Sequence, residues 1–299
     1  MYLLRKKDCM KKTKLKSYGK INLYFELVDK REDGYHDIKS VIQNIDIFDE
    51  IEIEEIRSGI IIDSNYKDIP KGKDNTVYKA INLIKKEYSV DKGIKIYLNK
   101  RIPHSAGLGG GSSNSAAVIE GLNKMWNLNM NSKEKEEIAE KIGTDVYFFL
   151  KGGTVYVGGK GDKTRKIKDF TWDNILLVKP DINISTAYIY SRIKKNYLSK
   201  NYNQEIFNTF NREKEELLVK LFRNDLERVV EIEYPEVSEI KKEMLTNKAV
   251  AAMMSGSGSA VFGFFKNSYD LDECYKTLSK RYHKLYKTKT IGRGFDYER

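Results

Sequence analysis

The 299-residue sequence predicts an α+β protein of two lobes. Three observations carry that expectation. The first half is rich in segments that alternate apolar and polar residues at the period of a strand. A glycine-serine run between Pro103 and Ser113 joins one such strand to a segment of helical period. From about residue 169 the pattern starts afresh with a second unit of strands and helices. The expected division is 1–168 and 169–299, and the length suits two modest domains with proper cores.

In chain order, SYGKINLYFELV is the first clear strand, with Ile21, Leu23, Phe25 and Leu27 on one face and Lys20, Asn22 and Tyr24 on the other. The turn signal DKREDGYH follows, then SVIQNIDIFDEIEIEEI, which reads as two strands broken at Phe48-Asp49-Glu50. Residues near 74–88, 114–126 and 132–142 have helical spacing, the last capped by Ser132 and ended by Gly143. GIKIYLNKRI places Ile94, Ile96, Leu98 and Ile102 at period two, as in a half-buried strand. TDVYFFLKGGTVYVGGKGD is a short apolar piece, helical or extended, before a glycine-punctuated strand. In the second unit the strand NILLVKP precedes helices across 185–195 and, with breaks, 205–245. AVAAMMSGSGSAVFGFF then reads as strand, Ser/Gly loop and strand, and a last helix covers 270–281.

Composition narrows the function. Hydrophobic residues at 40% and charged residues at 32% fit a soluble globular chain, and no run approaches the length of a membrane span. The N-terminal MYLLRKKDCMKK is basic but lacks the apolar stretch of a signal peptide, so a cytoplasmic protein is expected, with Met10 an alternative start. Cys9 and Cys274 have neither metal-like nor disulfide spacing, and are expected to be reduced and incidental. His36, His104 and His283 are scattered, which argues against a histidine-ligated zinc. Fifty-four basic against 43 acidic side chains give +11, but the excess is lysine spread over the whole chain. That reads as a solvated surface rather than the concentrated stripe of a nucleic-acid binder.

The run PHSAGLGGGSS is the candidate binding element. Gly107, Gly109, Gly110 and Gly111 carry no Cβ, so their amides can turn toward an anion and approach it closely. The following helix, with Ser112, Ser113 and Asn114 available to cap it, would present an N-terminus whose unpaired N–H groups and dipole favour phosphate. It is not a Walker A loop, because no Gly-Lys-Ser/Thr follows the spacer, and the dinucleotide fingerprint fails because Ser112 stands where its last glycine belongs.

Taken together, KINL at 20–23, REDGYHDIKSVIQ at 31–43, IPHSAGLGGGSSNSAA at 102–117, GTDVYFFLKGGT at 143–154, NDLERVV at 224–230 with YPEV at 234–237, and MSGSGSAVFG at 254–263 resemble the GHMP kinases over nearly the whole chain. The resemblance implies a two-lobed fold with a ribosomal-protein-like N-terminal lobe, a C-terminal α+β lobe and an active site in the cleft between them. It implies ATP and Mg2+, with Pro103, His104, Ser105, Ala106, Gly107, Leu108, Gly109, Gly110, Gly111, Ser112 and Ser113 forming the nucleotide loop. Ser113 is also the candidate metal ligand, although no carboxylate cluster in the sequence marks the metal.

Lys20 and Asp145 occupy the family's catalytic positions. Phosphoryl transfer needs an acceptor hydroxyl held in line, its proton accepted, and charge neutralised on the transferring group. Asp145 would either abstract the proton or orient the hydroxyl, with Lys20 beside it. DGYH and NDLE narrow the resemblance to the branch whose acceptor is the 2-hydroxyl of a methylerythritol linked to cytidine diphosphate, in non-mevalonate isoprenoid synthesis. Tyr35 and His36 match cytosine-recognition positions, Tyr190 falls near a second aromatic position, and Asn22 would orient the polyol or diphosphate. Ser255, Gly256, Ser257 and Gly258 either close over the phosphates or simply connect two core strands.

Two positions depart from the family: Gly19 stands where alanine is commoner, and Tyr147 where proline is usual, which could shift Asp145. The alternatives are another GHMP kinase acting on homoserine, mevalonate or a sugar, or a basic nucleotide- or RNA-binding relative without turnover. The expected partner is a small molecule, with no nucleic acid or membrane, and the protein a monomer or homodimer.

Overall fold

A computed structural model describes residues 10–194, 197–198 and 206–298, so Cys9, the basic N-terminal residues before it and the end of the expected 185–195 helix lie outside the described residues. The chain opens with two long antiparallel strands, β1 (Lys12–Lys30) and β2 (His36–Ile56), joined by the expected turn. β3 (Ile60–Ser64) leads through α1 (Thr76–Glu87) to β4 (Gly93–Asn99), which pairs parallel to β3 and antiparallel to β2. The glycine run enters α2 (Gly110–Trp126), followed by α3 (Ser132–Ile142), α4 (Thr144–Lys151) and the hairpin β5 (Thr154–Gly159) and β6 (Lys163–Lys166). Their apolar faces, among them Ile81, Ile119, Phe148 and Ile96, close one core beside the sheet.

The second lobe begins with β7 (Ile175–Val178) and continues through α5 (Thr186–Ser191), α6 (Ile206–Arg212), α7 (Glu215–Leu218), β8 (Arg223–Asn224), α8 (Glu227–Glu233) and α9 (Pro235–Thr246). β9 (Ala251–Met254), β10 (Val261–Phe264), α10 (Ser268–Leu278), β11 (Leu285–Thr288) and β12 (Phe295–Tyr297) complete it. β7, β9, β10 and β11 form a four-stranded sheet in the order β11-β7-β10-β9. One face of this sheet packs Leu177, Phe262 and Phe264 against Ile21, Val41 and Ile45 of the first sheet, and the other faces α8, α9 and α10. β8 and β12 return to pair with β1, so late residues complete the first sheet. Among the described residues no helix is long and apolar enough to cross a membrane.

Four local expectations are corrected. β2 is one strand of 21 residues rather than two, and its irregularity is the two extra residues Asp46 and Ile47 between the pairs Tyr18–Phe48 and Gly19–Ile45. In β1, Leu23 is bulged between the pairs Asn22–Ile42 and Tyr24–Val41. A bulge adds one residue to one strand and reverses the alternation beyond it, so Tyr24 joins Ile21 in the interlobe core and Phe25 takes its place beside Lys20 and Asn22 on the cleft wall. α3 is capped by Asn131, not Ser132, in a capping box with Glu134. α2 starts at Gly110 behind Gly109, with no side-chain cap from Ser112, Ser113 or Asn114.

Asp49, in the expected break, is fully buried instead. Its carboxylate accepts hydrogen bonds from the Arg101 amide at 2.7 Å, the Ile102 amide at 2.8 Å, Asn114 Nδ2 at 2.9 Å and the Lys100 ammonium. One side chain thus ties β2 to the residues that lead into the glycine run and to the first turns of α2. Removing one partner of a buried ion pair leaves the other charge uncompensated. Asp49→Ala is expected to lower the unfolding free energy by about 3–5 kcal/mol in urea denaturation; a loss below about 1 kcal/mol would be no more than one ordinary hydrogen bond.

Candidate active site

A cleft of about 410 Å³ opens between the lobes, and the elements around it each deliver one kind of group. β1 contributes Lys20 and Asn22, the glycine run Gly107, Gly109 and Ser112, α4 Asp145, α5 Tyr190, and the β9–β10 loop Gly256 and Ser257. A trough of about 300 Å³ adjoins it, lined by residues 102–112 with Thr76 and Lys100.

The start of α2 explains the trough. Gly109 holds a left-handed conformation at φ +70° and the first intrahelical bond from this turn is Ser113 N–H to the Gly109 carbonyl, at 2.9 Å. The amides of Gly110, Gly111 and Ser112 precede it in an uncapped turn, and with the positive end of the dipole they favour an anion. Close packing sets where that turn sits. A Cβ at Gly109 would fall 2.7 Å from the Phe149 ring, and one at Gly107 would run into the Ser255 carbonyl. Ala106 and Leu108 anchor the run in the interlobe core, and the Lys20 amide donates to the Leu108 carbonyl at 3.0 Å. Pro103 and His104 face a second cavity of about 230 Å³, where His104 stacks on Tyr66 at 5.7 Å between ring centroids and accepts or donates a 2.8 Å bond with Ser105 Oγ.

Lys20 is buried at 5% exposure. Its ammonium donates to Asn22 Oδ1 at 2.6 Å, Asn22 Nδ2 donates to Ser40 Oγ at 2.9 Å, and Ser40 donates to the Tyr24 carbonyl at 2.7 Å. This chain aims one cation into the cleft. Burial pulls the Lys20 pKa below the ordinary lysine value, and the Asp145 carboxylate opposes that by favouring the charged amine. Asp145 lies in the first turn of α4, which begins at Thr144 although Tyr147 replaces the usual proline; Tyr147 packs partly buried, with the Lys151 ammonium 4.7 Å over its ring.

His36 starts β2, is 8% exposed and lies 5.5 Å from the Tyr190 ring at an interplanar angle of 50°. Burial, reinforced by Lys30, lowers the His36 pKa and favours a neutral imidazole, while burial and then Asp145 keep the Tyr190 hydroxyl protonated. Tyr35 is 63% exposed outside this pair, with the Lys160 ammonium 6.0 Å over its ring.

Several expected residues do not point into the cleft. Ser113 is fully buried and its hydroxyl donates to the Tyr18 carbonyl at 2.6 Å, so the candidate metal ligand is already committed to the strand behind it. Ser255 is buried and donates to the Gly107 carbonyl at 2.9 Å, bracing one loop with the other. Gly258 packs toward Met254 and Ile184. The cleft also holds Lys160, Thr186 and Ser40, and the trough Lys100, none of which the sequence pattern singled out. Lys160 was legible only as one lysine within GGKGD, and Lys100 only as the residue two before the run's flanking isoleucine.

Residues 75–153 match the GHMP kinases N terminal domain and residues 206–284 the GHMP kinases C terminal domain. A 4-diphosphocytidyl-2-C-methyl-D-erythritol kinase of Thermoanaerobacter pseudethanolicus is 40% identical over 96% of this chain and 99% of its own length. One from Caldanaerobacter subterraneus subsp. tengcongensis is 41% identical over 95% and 99%. A crystal structure of 4-(cytidine 5'-diphospho)-2C-methyl-D-erythritol kinase aligns with a TM-score of 0.79 at 25% identity, covering 93% of this chain and 99% of that one. A homoserine kinase from Cytophaga hutchinsonii aligns at 0.73 and 17% identity over the whole of both chains, a likeness of fold. With the uncapped glycine turn, the buried lysine and the two sheets in this order, the chain belongs to the GHMP kinases and, among them, to the 4-diphosphocytidyl-2-C-methyl-D-erythritol kinase family.

Proposed function

We infer that the protein is an ATP-dependent kinase that phosphorylates the 2-hydroxyl of 4-diphosphocytidyl-2-C-methyl-D-erythritol, giving the 2-phosphate and ADP in non-mevalonate isoprenoid synthesis. The observation that carries the reading is the meeting of an uncapped helix turn, one buried ammonium and one carboxylate around a single cleft.

The amides of Gly110, Gly111 and Ser112 hold the polyphosphate of ATP in the trough. The adenosine extends toward the neighbouring cavity, where the stacked Tyr66 and His104 offer a flat apolar wall. Asp145 holds the acceptor hydroxyl in line and takes its proton as the hydroxyl oxygen bonds to the terminal phosphorus and the bond to the leaving ADP oxygen breaks. Lys20, oriented by Asn22, sets its charge beside the transferring group. Tyr190 on the cleft wall takes the cytosine by stacking, and His36, packed behind its ring, offers hydrogen bonds from a neutral imidazole, with Tyr35 exposed on the turn before it. A magnesium ion arriving with the triphosphate would supply charge neutralisation for the transferring group. Among the described residues no group of three or more His, Cys, Asp or Glu side chains could hold a metal; Ser112, which lines both trough and cleft, would be the residue to hold it, in place of the Ser113 hydroxyl bonded to the Tyr18 carbonyl.

Asp145→Asn keeps the size of the side chain and removes its basicity. Turnover with the diphosphocytidyl polyol is expected to fall by about 10²–10⁴, while calorimetric binding of a non-hydrolysable ATP analogue survives. Turnover within a few fold of wild type would remove Asp145 from the base position, and phosphorylation of homoserine or mevalonate in preference to the diphosphocytidyl polyol would overturn the substrate.

Gly107 sits at φ +74° with the Ser255 carbonyl where a methyl group would go. A left-handed conformation costs a residue with a Cβ about 1–2 kcal/mol before any collision is counted. Gly107→Ala is therefore expected to weaken ATP-analogue binding at least about tenfold in the same calorimetric titration.

A further inference from the structure

The segment Asn224-Asp225-Leu226-Glu227 belongs to the strings that mark the family resemblance, yet none of its polar side chains has a place in the chemistry above. Asn224 and Asp225 are buried, at 5% and 3% exposure, and both are fully engaged. Asn224 Nδ2 donates to the Met254 carbonyl at 2.9 Å and to the Gly256 carbonyl at 2.8 Å, and its Oδ1 accepts the Leu226 amide at 3.0 Å. Glu227 accepts the Met254 amide at 2.6 Å and is held in turn by Lys241 at 2.5 Å. On its other side the segment grips β1. β8 pairs with it in parallel through Tyr24–Arg223 and Phe25–Asn224, the Asp225 amide donates to the Phe25 carbonyl at 2.9 Å, and Asp225 Oδ2 accepts the Leu27 amide at 2.9 Å.

The strand so gripped carries Lys20 and Asn22, and the loop so gripped carries Gly256. These meet in the cleft: Gly256 lies at φ +54°, and a Cβ there would stand 3.3 Å from Asn22 Oδ1 and 3.4 Å from Lys20 Nζ. The spacing between the loop and the buried ammonium therefore depends on the segment that bonds to both. We propose that Asn224 is a positioning residue for phosphoryl transfer, holding Gly256 against the Lys20–Asn22 pair so that the acceptor side of the cleft keeps its shape. The side chain has to be an amide. Its nitrogen brings two protons to two carbonyl oxygens, whereas a carboxylate at the same place would turn an oxygen toward both. Asn224 touches neither substrate and acts through the loop. The proposal rests on the kinase reading above.

The test is a double-mutant cycle between Asn224→Asp and Gly256→Ala in the full chain, with kcat and both KM values measured for ATP and the diphosphocytidyl polyol, ATP-analogue binding by calorimetry, and the thermal midpoint. Asn224→Asp is expected to lower kcat/KM for the polyol by about 10- to 100-fold, as when two buried acceptors lose their donors. ATP-analogue affinity should stay within a few fold. Gly256→Ala is expected to lose a similar amount, and the double variant no more than the worse single, because both act on one spacing. Losses that multiply in the double variant overturn the proposal. So does an ATP-analogue affinity that falls in step with polyol turnover, which is what a merely structural defect gives. If Asn224→Asp does not fold, Gly256→Ala alone decides, since wild-type polyol kinetics in that variant remove the spacing from the mechanism. Wild-type protein that turns over no diphosphocytidyl polyol overturns the functional reading itself; an active wild type with indifferent variants overturns only the role of Asn224.

Discussion

The structure depends on the contact between its two glycine loops and the first strand. The Lys20 amide is bonded to the Leu108 carbonyl, the Ser255 hydroxyl to the Gly107 carbonyl, and the Ala260 amide to the Ala106 carbonyl. These bonds join three chain segments more than 80 residues apart at one point, and each gives a carbonyl of the glycine run its hydrogen-bond partner. The approach is close enough that Gly107 has no room for a side chain. As a result the uncapped turn of α2 starts beside Lys20 at the edge of the cleft, the arrangement on which the proposed transfer from a bound polyphosphate rests.

Several features around this point would be unfavourable elsewhere. α2 has no side-chain N-cap because its N-cap residue is Gly109; Ser113 and Asn114 already lie inside the helix, bonded to the Tyr18 carbonyl and to Ser17 and Asp49. With glycine at the N-cap the loss relative to a good side-chain cap is small, about a few tenths of a kcal/mol. Lys20 is desolvated and, among the described residues, has only an amide oxygen on its ammonium, with Asp145 compensating through the field of the cleft rather than through a short ion pair. Departures from local rules that gather at one place, while α1 and α3 nearby carry ordinary asparagine caps, are what a binding site requires of its scaffold.

What could be read beforehand follows the same division. The long periodic elements and the glycine run were legible because helical and strand periods and missing side chains are local properties. So was His36, which follows a turn. The bulge at Leu23 was not. Nothing in LYFEL distinguishes a strand with an extra residue from a regular one, and the swap of Tyr24 for Phe25 in the cleft wall follows from pairing with β2. Asp49 looked like a turn residue because its four donors come from residues 100–102 and 114. β8 and β12 are 2 and 3 residues long, too short for any period, and exist because β1 offers them an edge. Lys20 and Asp145, singled out by motif, do line one cleft. The site was illegible where a common residue is recruited by position, as at Lys160 and Lys100.

This division also separates the two ends of the reaction. The nucleotide end is built from backbone: amides at a helix start, held in place by Cβ-free positions and buried alanine and leucine anchors. A backbone cradle recognises phosphate and is blind to what the phosphate is to be passed to. The acceptor end, as proposed, is built from side chains, Asn22, His36, Asp145 and Tyr190, placed by four different elements. Changing the acceptor needs only substitutions at those four places, whereas changing the cradle means moving two loops and a strand together. On the proposed reading the His36–Tyr190 pair is therefore where a substrate with a planar base would be selected, and the bonds between the loops hold the cradle that any phosphoryl donor would use.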